Sequence, residues 1–281
     1  MTKKIKKFEE VINQYDGFIF DQFGVIHNGK QIHKNAEDCF FQILKKNKKI
    51  LLLSNSGKSR KINQERIKSL GSKIIHEQKM ITSGDVCKKL LLEKKYPLNN
   101  IGNKYFLIGS NYDLLKGTDY QKTEDIDDSD FLLLNTLPNY NNNKEINLNK
   151  SILNNKLLIC ANPDLLGVSG NKVSKSVGSF ALEYESKGGR VIFIGKPYSN
   201  IFDIALNYFA NIKKERILMI GDSLFHDIKG ATKADIDSLF ILSGIHKNDF
   251  ELLEDHYIKN KILNLTKNKY IPTYFCNFLK Y

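Results

Sequence analysis

The sequence has little that would place it in a specialised class. Its four cysteines, Cys39, Cys87, Cys160 and Cys276, lie far apart and form no C-x-x-C pair. That spacing argues against a zinc site and a disulfide framework and leaves reduced packing residues. No apolar run approaches the ~18 residues a membrane helix needs. The opening MTKKIKKFEEVINQYDG carries charge but lacks the apolar stretch of a secretory signal. A cytoplasmic chain without a membrane partner is expected. A basic stripe interleaved with aromatics is also missing: the lysines are scattered, with only a short cluster at Lys3, Lys4, Lys6 and Lys7. No nucleic-acid partner is expected on that pattern. The net charge of +12 still permits steering of anionic small molecules, or it reflects a compositional bias toward Lys, Asn and Ile with no functional meaning. There is no internal repeat, and a homo-oligomer is compatible with what is present.

What is present reads as a globular α/β protein. With 281 residues, 41% of them hydrophobic and 26% charged, the chain can bury a substantial core, and two domains are the working expectation. Four short apolar runs, at residues 18–20, 50–53, 191–194 and 217–220, each meet small or polar residues at once and read as buried strands. Helical patterns at 36–47, 63–70 and 201–210 alternate with them, as in a parallel sheet covered on both faces. About 140 residues separate the second run from the third, far more than a crossover needs. The intervening segment has its own elements: a helix at 81–96, strands at 105–110, 131–136 and 156–164, and a closing helix at 178–189. Its eight asparagines within 139–155 and its acidic stretch at 124–130 read as solvated loops. The expected fold is a doubly wound, Rossmann-like parallel-sheet core, residues 1–83 and 189–281, with an α/β cap at 84–188 inserted between its halves.

In such sheets ligands bind outside the carboxyl ends of the strands. Those ends read Asp21 in FIFDQFGVIHNG, Ser54 and Asn55 in LLLSNSGKS, Lys196 in FIGKPYSN, and Asp222 and Asp227 in LMIGDSLFHDIKGA. Singly, each is a common turn or loop feature. Together they fall at the same kind of place in a set order: acid, hydroxyl, lysine, paired carboxylates. This ordered set resembles the four motifs of the haloacid-dehalogenase superfamily, over essentially the whole chain. The insert between motifs two and three is similar to that of the branch containing nitrophenyl, phosphoglycolate and sugar phosphatases. NPD at residues 162–164 resembles a signature of their cap.

The resemblance implies Mg²⁺-dependent hydrolysis of a small phosphorylated metabolite through an aspartyl-phosphate on Asp21. A phosphate dianion repels a carboxylate, so such an attack needs cations. The pattern implies Mg²⁺ held by Asp21, Asp222 and the backbone carbonyl of Phe23, with Asp227 orienting the metal's waters. Lys196 would supply a fixed positive charge. Ser54, the amide of Asn55 and neighbouring Ser56 would hold phosphoryl oxygens, with Ser223 assisting. Asn162 and Asp164 would contribute specificity from the cap, or would only make a tight turn. Dehalogenases use no metal, and the retained Asp222 and Asp227 argue against that chemistry.

One position departs from the pattern. These phosphatases carry a second Asp two residues after the first, to protonate the leaving group and then activate water; here that residue is Phe23. Losing a general acid or base costs ~10²- to 10⁴-fold in rate, so slow turnover of alkyl phosphates is expected. Three explanations stand: His27 in the same loop replaces the acid, the substrate has a good leaving group, or the chain is a binding or regulatory protein that kept the fold but little catalysis.

Overall fold

Alternate residues of neighbouring strands point to opposite faces, and here both sets are apolar. Ile19, Leu51 and Leu53 join one buried cluster, while Phe18, Phe20, Ile50 and Leu52 join another. Strands of this kind must be covered on both sides. Helix Ala36–Lys45 covers one face through Cys39, Phe40 and Ile43, and helix Ser199–Tyr208 covers the other through Ile201, Phe202 and Ala205. The computed structural model describes residues 2–109, 112–137, 151–152, 154–169 and 172–281.

The strands in chain order are β1 (Lys3–Lys4), β2 (Gly17–Phe20), β3 (Lys49–Ser54), β4 (Lys79–Thr82), β5 (Lys104–Ile108), β6 (Gln121–Thr123), β7 (Phe131–Leu134), β8 (Leu157–Cys160), β9 (Leu166–Ser169), β10 (Lys172–Lys175), β11 (Arg190–Phe193), β12 (Ile217–Gly221), β13 (Asp237–Ile241) and β14 (Tyr274–Cys276). A seven-stranded sheet has the order β1-β14-β13-β12-β2-β3-β4, with every pair parallel. From β2 the chain winds outward through β3 to β4, and later from β12 through β13 to β14 on the other side. The fold is therefore doubly wound, and strand order reverses between β2 and β12. A five-stranded parallel sheet, β11-β8-β7-β5-β6, and the antiparallel pair β9–β10 make up the rest.

Two expectations about the insert need correction. The run at 191–194 is not a strand of the central sheet. It falls at β11, the edge of the second sheet, with Val191 beside Leu158 and Phe193 beside Cys160. An apolar run reports burial, and the chain leaving helix Val177–Ser186 returns to the nearest open edge, which is β8. The second correction concerns the helix expected to open the insert. It spans Ser83–Leu92 and sends Val86, Cys87 and Leu91 into the cluster that holds Ile19, Leu51 and Ile81 of the central sheet. The boundary at 84 therefore falls inside this helix, whose cluster also holds Tyr105, Phe131 and Ile159 of the second sheet, and 188 falls in the turn before β11.

The helices expected at 36–47, 63–70 and 201–210 occur at Ala36–Lys45, Arg60–Ser69 and Ser199–Tyr208. Most of the asparagine-rich stretch, residues 138–150 and 153, lies outside the described residues. All four cysteines are buried free thiols. Among the described residues no helix is long and apolar enough to cross a membrane.

Candidate active site

Strand register assembles the first part of the site. Phe20 lies beside Ile220 of β12 and beside Leu52 of β3. All three strands run the same way, so the next residue, Asp21, leaves the sheet level with Gly221 and Leu53. Asp222 and Ser54 follow one position later. Three chemically distinct side chains thus reach one sheet edge, where strand order reverses and ligands of such folds bind. Asp222 is held tightly there. Its Oδ2 accepts the amide of Ile245 at 2.7 Å, and a Cβ on Gly24 or Gly244 would lie 1.8 or 2.0 Å from that oxygen. Only glycine permits the carboxylate to sit so deep, and Gly24 also takes a φ of +78°.

Lys196 arrives from the other sheet. Three residues past β11 the chain meets Asn55, whose Oδ1 accepts the Lys196 amide at 2.7 Å and whose Nδ2 donates to the Lys196 carbonyl at 3.1 Å. The lysine then reaches into the central sheet's edge. Its Nζ donates to Asp21 Oδ1 at 2.5 Å and to the Leu53 carbonyl at 3.0 Å. It also lies 2.7 Å from Asp227 Oδ1, off the line of a good hydrogen bond. A wide turn at Leu224–Ile228 folds Asp227 back so that its Oδ2 accepts the Ser223 amide at 3.0 Å. The Lys196 side chain is 2% exposed and that of Asp227 1%.

Three carboxylates and one ammonium leave this buried cluster with excess negative charge. Burial raises Asp21 to about 7, with Lys196 opposing the rise and Asp227 adding to it. Burial also lifts Asp222 well above the usual carboxylate range, reinforced by repulsion from Asp21 and Asp227. For Lys196 burial acts to lower the pKa, but the two carboxylates outweigh it and hold the ammonium above its ordinary value. Oxygens of Asp21, Asp222 and Asp227 lie within 4.8 Å of one another. An all-oxygen donor set with surplus negative charge fits a hard divalent cation.

A pH dependence follows, and its sign is fixed by the shift. A carboxyl whose folded pKa is about 7 against an ordinary 3.8 contributes stability that is complete below about pH 4 and lost as pH rises through about 7. In chelator the melting temperature is therefore expected to fall between about pH 5 and about pH 8. A divalent cation should reverse the trend and stabilise most at the upper end, because it binds the ionised cluster. Thermal melts across that window check both statements. A flat profile that ignores the cation would show that these carboxylates are not a coupled, cation-accepting group.

Around this floor opens a cavity of about 400 Å³. Of the residues singled out in the sequence, Asp21, Phe23, Ser54, Asn55, Ser56 and Lys196 line it, as do Asn162, Asp164, Ser223, Asp222 and Asp227. The NPD segment makes the tight turn the sequence allows, and its Asn162 and Asp164 line the cavity. Asn162 Oδ1 accepts the Asp164 amide at 3.1 Å in a tight turn, and Asp164 Oδ1 accepts Asn55 Nδ2 at 2.7 Å, tying the second sheet's loop to the central sheet.

His27 is the exception. It is 1% exposed and does not line the cavity. Its Nδ1 accepts the Gly29 amide at 3.1 Å, and its ring packs edge-on against Phe23 with centroids 4.5 Å apart. Burial, with Arg66 and His33 adding repulsion, depresses its pKa to about 3. This placement speaks against the expectation that His27 replaces the missing acid: it braces the turn behind Phe23, off the cavity wall, and burial disfavours its charged form.

Among the lining residues that escape a sequence reading are Lys58, Arg66, Asn135 and His226. His226 lies beside Asp227 in SLFHD, and only the wide turn aims its Nε2 to within 3.2 Å of the Pro163 carbonyl.

Comparison with known proteins agrees with this geometry. A family model for haloacid dehalogenase-like hydrolases matches residues 18–119, and one for HAD-hydrolase-like proteins matches residues 193–264. The dihydroxyacetone phosphatase of Corynebacterium glutamicum (strain R) is 31% identical over 114 residues, which span 40% of this chain but only 41% of that protein. The chloroplastic phosphoglycolate phosphatase 1A of Arabidopsis thaliana is 23% identical over 275 residues, 87% of this chain and 73% of its own. A haloacid dehalogenase-like hydrolase from Brucella suis 1330 has the same fold, with a TM-score of 0.80 and 24% identity over 98% of this chain and 99% of its own. With both halves of the central sheet matched, and with the acid, hydroxyl, lysine and paired carboxylates at their edges, this chain belongs to the haloacid dehalogenase-like hydrolases.

Proposed function

We propose that the chain hydrolyses small phosphomonoesters with Asp21 as nucleophile and Mg²⁺ as its cation. The observation that carries this reading is the 2.5 Å contact of Asp21 with buried Lys196, beside Asp222 and Asp227, on the floor of one cavity. The names of the relatives, phosphatases of phosphoglycolate and dihydroxyacetone, support the reaction class.

Asp21 attacks phosphorus in line. A bond forms from its carboxylate oxygen as the ester P–O bond breaks, and the departing oxygen takes its proton from water. Lys196 holds Asp21 in place and offsets the charge that gathers on the phosphoryl group. Ser54 and the Asn55 amide are suited to donate to the same oxygens. Mg²⁺, held by Asp21, Asp222, Asp227 and the Phe23 carbonyl, would neutralise the repulsion between carboxylate and phosphate. Water then attacks the aspartyl-phosphate at phosphorus, releasing inorganic phosphate and freeing Asp21. Neither Phe23 nor His27 moves a proton in either half, so substrates with good leaving groups are favoured and the second half is slow.

Release of nitrophenol from 4-nitrophenyl phosphate is expected with Mg²⁺, absent with chelator, and at least ~10⁴-fold lower in Asp21→Asn, as for loss of a nucleophile elsewhere. Activity that survives Asp21→Asn would remove this mechanism. A second reading, a binding protein on the same fold, rests on Phe23. It predicts no release from the native chain under any of these conditions.

A further inference from the structure

Two loops of the second sheet that reach the central one leave neighbouring strands. Phe193 of β11 lies beside Cys160 of β8, and the Ile194 amide donates to the Cys160 carbonyl at 2.9 Å, so residues 162–164 and 195–196 emerge side by side. Both are packed without slack. A Cβ on Gly195, whose φ is +134°, would lie 2.7 Å from Asn55 Oδ1 and 2.8 Å from Pro163 Cδ, and one on Gly178 would lie 2.3 Å from the Pro163 carbonyl oxygen.

The NPD turn is fastened to the core on two sides. On one, Asp164 Oδ1 accepts an N–H of Asn55 at 2.7 Å, while the Lys196 carbonyl takes a longer bond from the same Nδ2. Asn55 Oδ1 accepts the Lys196 amide at 2.7 Å and the Ser83 hydroxyl at 3.3 Å. Asn55 is 2% exposed, and its side-chain amide has spent both donors and both lone pairs within the protein. On the other side, His226 Nε2 lies 3.2 Å from the Pro163 carbonyl, which can only accept, so that nitrogen carries a proton. Its Nδ1 lies 3.0 Å from Ser223 Oγ, and the Ser223 amide donates to Asp227 Oδ2 at 3.0 Å. The two routes meet at Lys196: Asn55 holds its backbone, and Asp227 faces its ammonium at 2.7 Å. Asp164 is itself a carboxylate and repels an anionic ester. Its place beside the cavity is explained by the bond it accepts.

We propose that Asp164 and His226 are positioning residues: they clamp the NPD turn against Asn55 and Ser223, so that Lys196 holds Asp21 in line for attack. The turn then governs the rate of attack and not the choice of leaving group. The proposal rests on the phosphatase reading for its rate readout and assigns that reading two residues acting through Lys196.

The test uses Asp164→Leu and His226→Phe, which remove the bonds, and Asp164→Asn and His226→Gln, which keep an oxygen for Asn55 and a donor for the Pro163 carbonyl. With Mg²⁺, kcat/KM is measured on 4-nitrophenyl phosphate and acetyl phosphate, because it reports attack by Asp21 whichever half limits turnover. A small displacement of a reacting group costs up to about 100-fold, so Asp164→Leu and His226→Phe should lower kcat/KM by about 10- to 100-fold. The ratio between the two esters should stay within about threefold of native, and the conservative variants should return to within about threefold of the native rate. Hydrogen exchange at the Lys196 amide, read without substrate, should speed up about 10-fold in Asp164→Leu and not in Asp164→Asn, with melts to confirm that each variant is folded. A shifted ester ratio would make these residues specificity contacts, and Asp164→Asn as slow as Asp164→Leu would make the carboxylate itself the working group; either result, or unchanged rates, overturns the clamp. If the native chain hydrolyses neither ester while exchange at Lys196 responds as expected, the clamp stands and the phosphatase reading falls.

Discussion

Phe23→Asp is expected to raise steady-state turnover of an alkyl phosphate by about 10²- to 10⁴-fold, the range that a positioned acid or base contributes. The gain should fall unevenly over the two halves of the reaction. A carboxylate placed where the ring stands would meet Arg66, whose guanidinium carbon is 4.9 Å from that ring. The cation would hold the new group ionised, which suits a base that activates water better than an acid that protonates a leaving group. The larger effect is therefore expected on breakdown of the aspartyl-phosphate. Acid-quenched native protein should carry phosphate on Asp21 during turnover and release product in a burst. In the variant the burst should vanish and the phosphoenzyme should not accumulate. Unchanged turnover, with the phosphoenzyme still present, would mean that something other than Phe23 limits the rate. Because Phe23 also supports His27, a melt of the variant separates lost folding from lost chemistry.

The parts of the site that end an apolar run are legible in the sequence. Asp21, Ser54 and Asp222 each close a buried strand, and parallel register does the rest, so position in the chain predicts position in space. Lys196 is also legible as a strand-end residue, but not for the reason that holds in the structure. Its strand belongs to the second sheet, and the link to Asp21 depends on Asn55 gripping the Lys196 backbone on both sides. Four apolar residues satisfy the edge of either sheet, so their pattern does not choose between them. Strands β4, β13 and β14 are short and begin with polar or half-exposed residues, which hides them from an apolar scan although with β1 they widen the sheet to seven. Arg66 is invisible for another reason. It is one of four basic residues on a polar helix, and only its tertiary stack on Phe23 distinguishes it from its neighbours. His27 shows the reverse case: the loop position that suggests chemistry is explained by a hydrogen bond two residues long.

Lys196→Met should have the second large effect, on stability as well as rate. The lysine is the cation that touches both Asp21, at 2.5 Å, and Asp227, at 2.7 Å, and all three side chains are withdrawn from water. Removing one partner of a buried ion pair costs ~3–5 kcal/mol, because the charge left behind has lost its water without regaining a partner. Here two carboxylates are left, with Asp222 close by. Methionine fills similar space, so the deficit comes from charge and not from a cavity. In chelator at about pH 8 a drop in melting temperature on the order of 10 °C is expected for a chain of this size. The deficit should shrink toward about pH 5 as Asp21, whose pKa lies at about 7, takes up a proton. A divalent cation should restore part of the stability by occupying the same negative cluster, yet it should not restore catalysis. Lys196 alone holds Asp21 Oδ1 and the Leu53 carbonyl together, so kcat is expected to stay about 10²- to 10³-fold low even when the fold is rescued. Separation of the two readouts is the discriminating result. If the cation restored both, Lys196 would only balance charge, and Asp21 would need no positioned ammonium to attack phosphorus. If neither the melt nor the rate moved, the cluster would not be ionised in the folded chain, and the nucleophile would have to be sought elsewhere in the cavity.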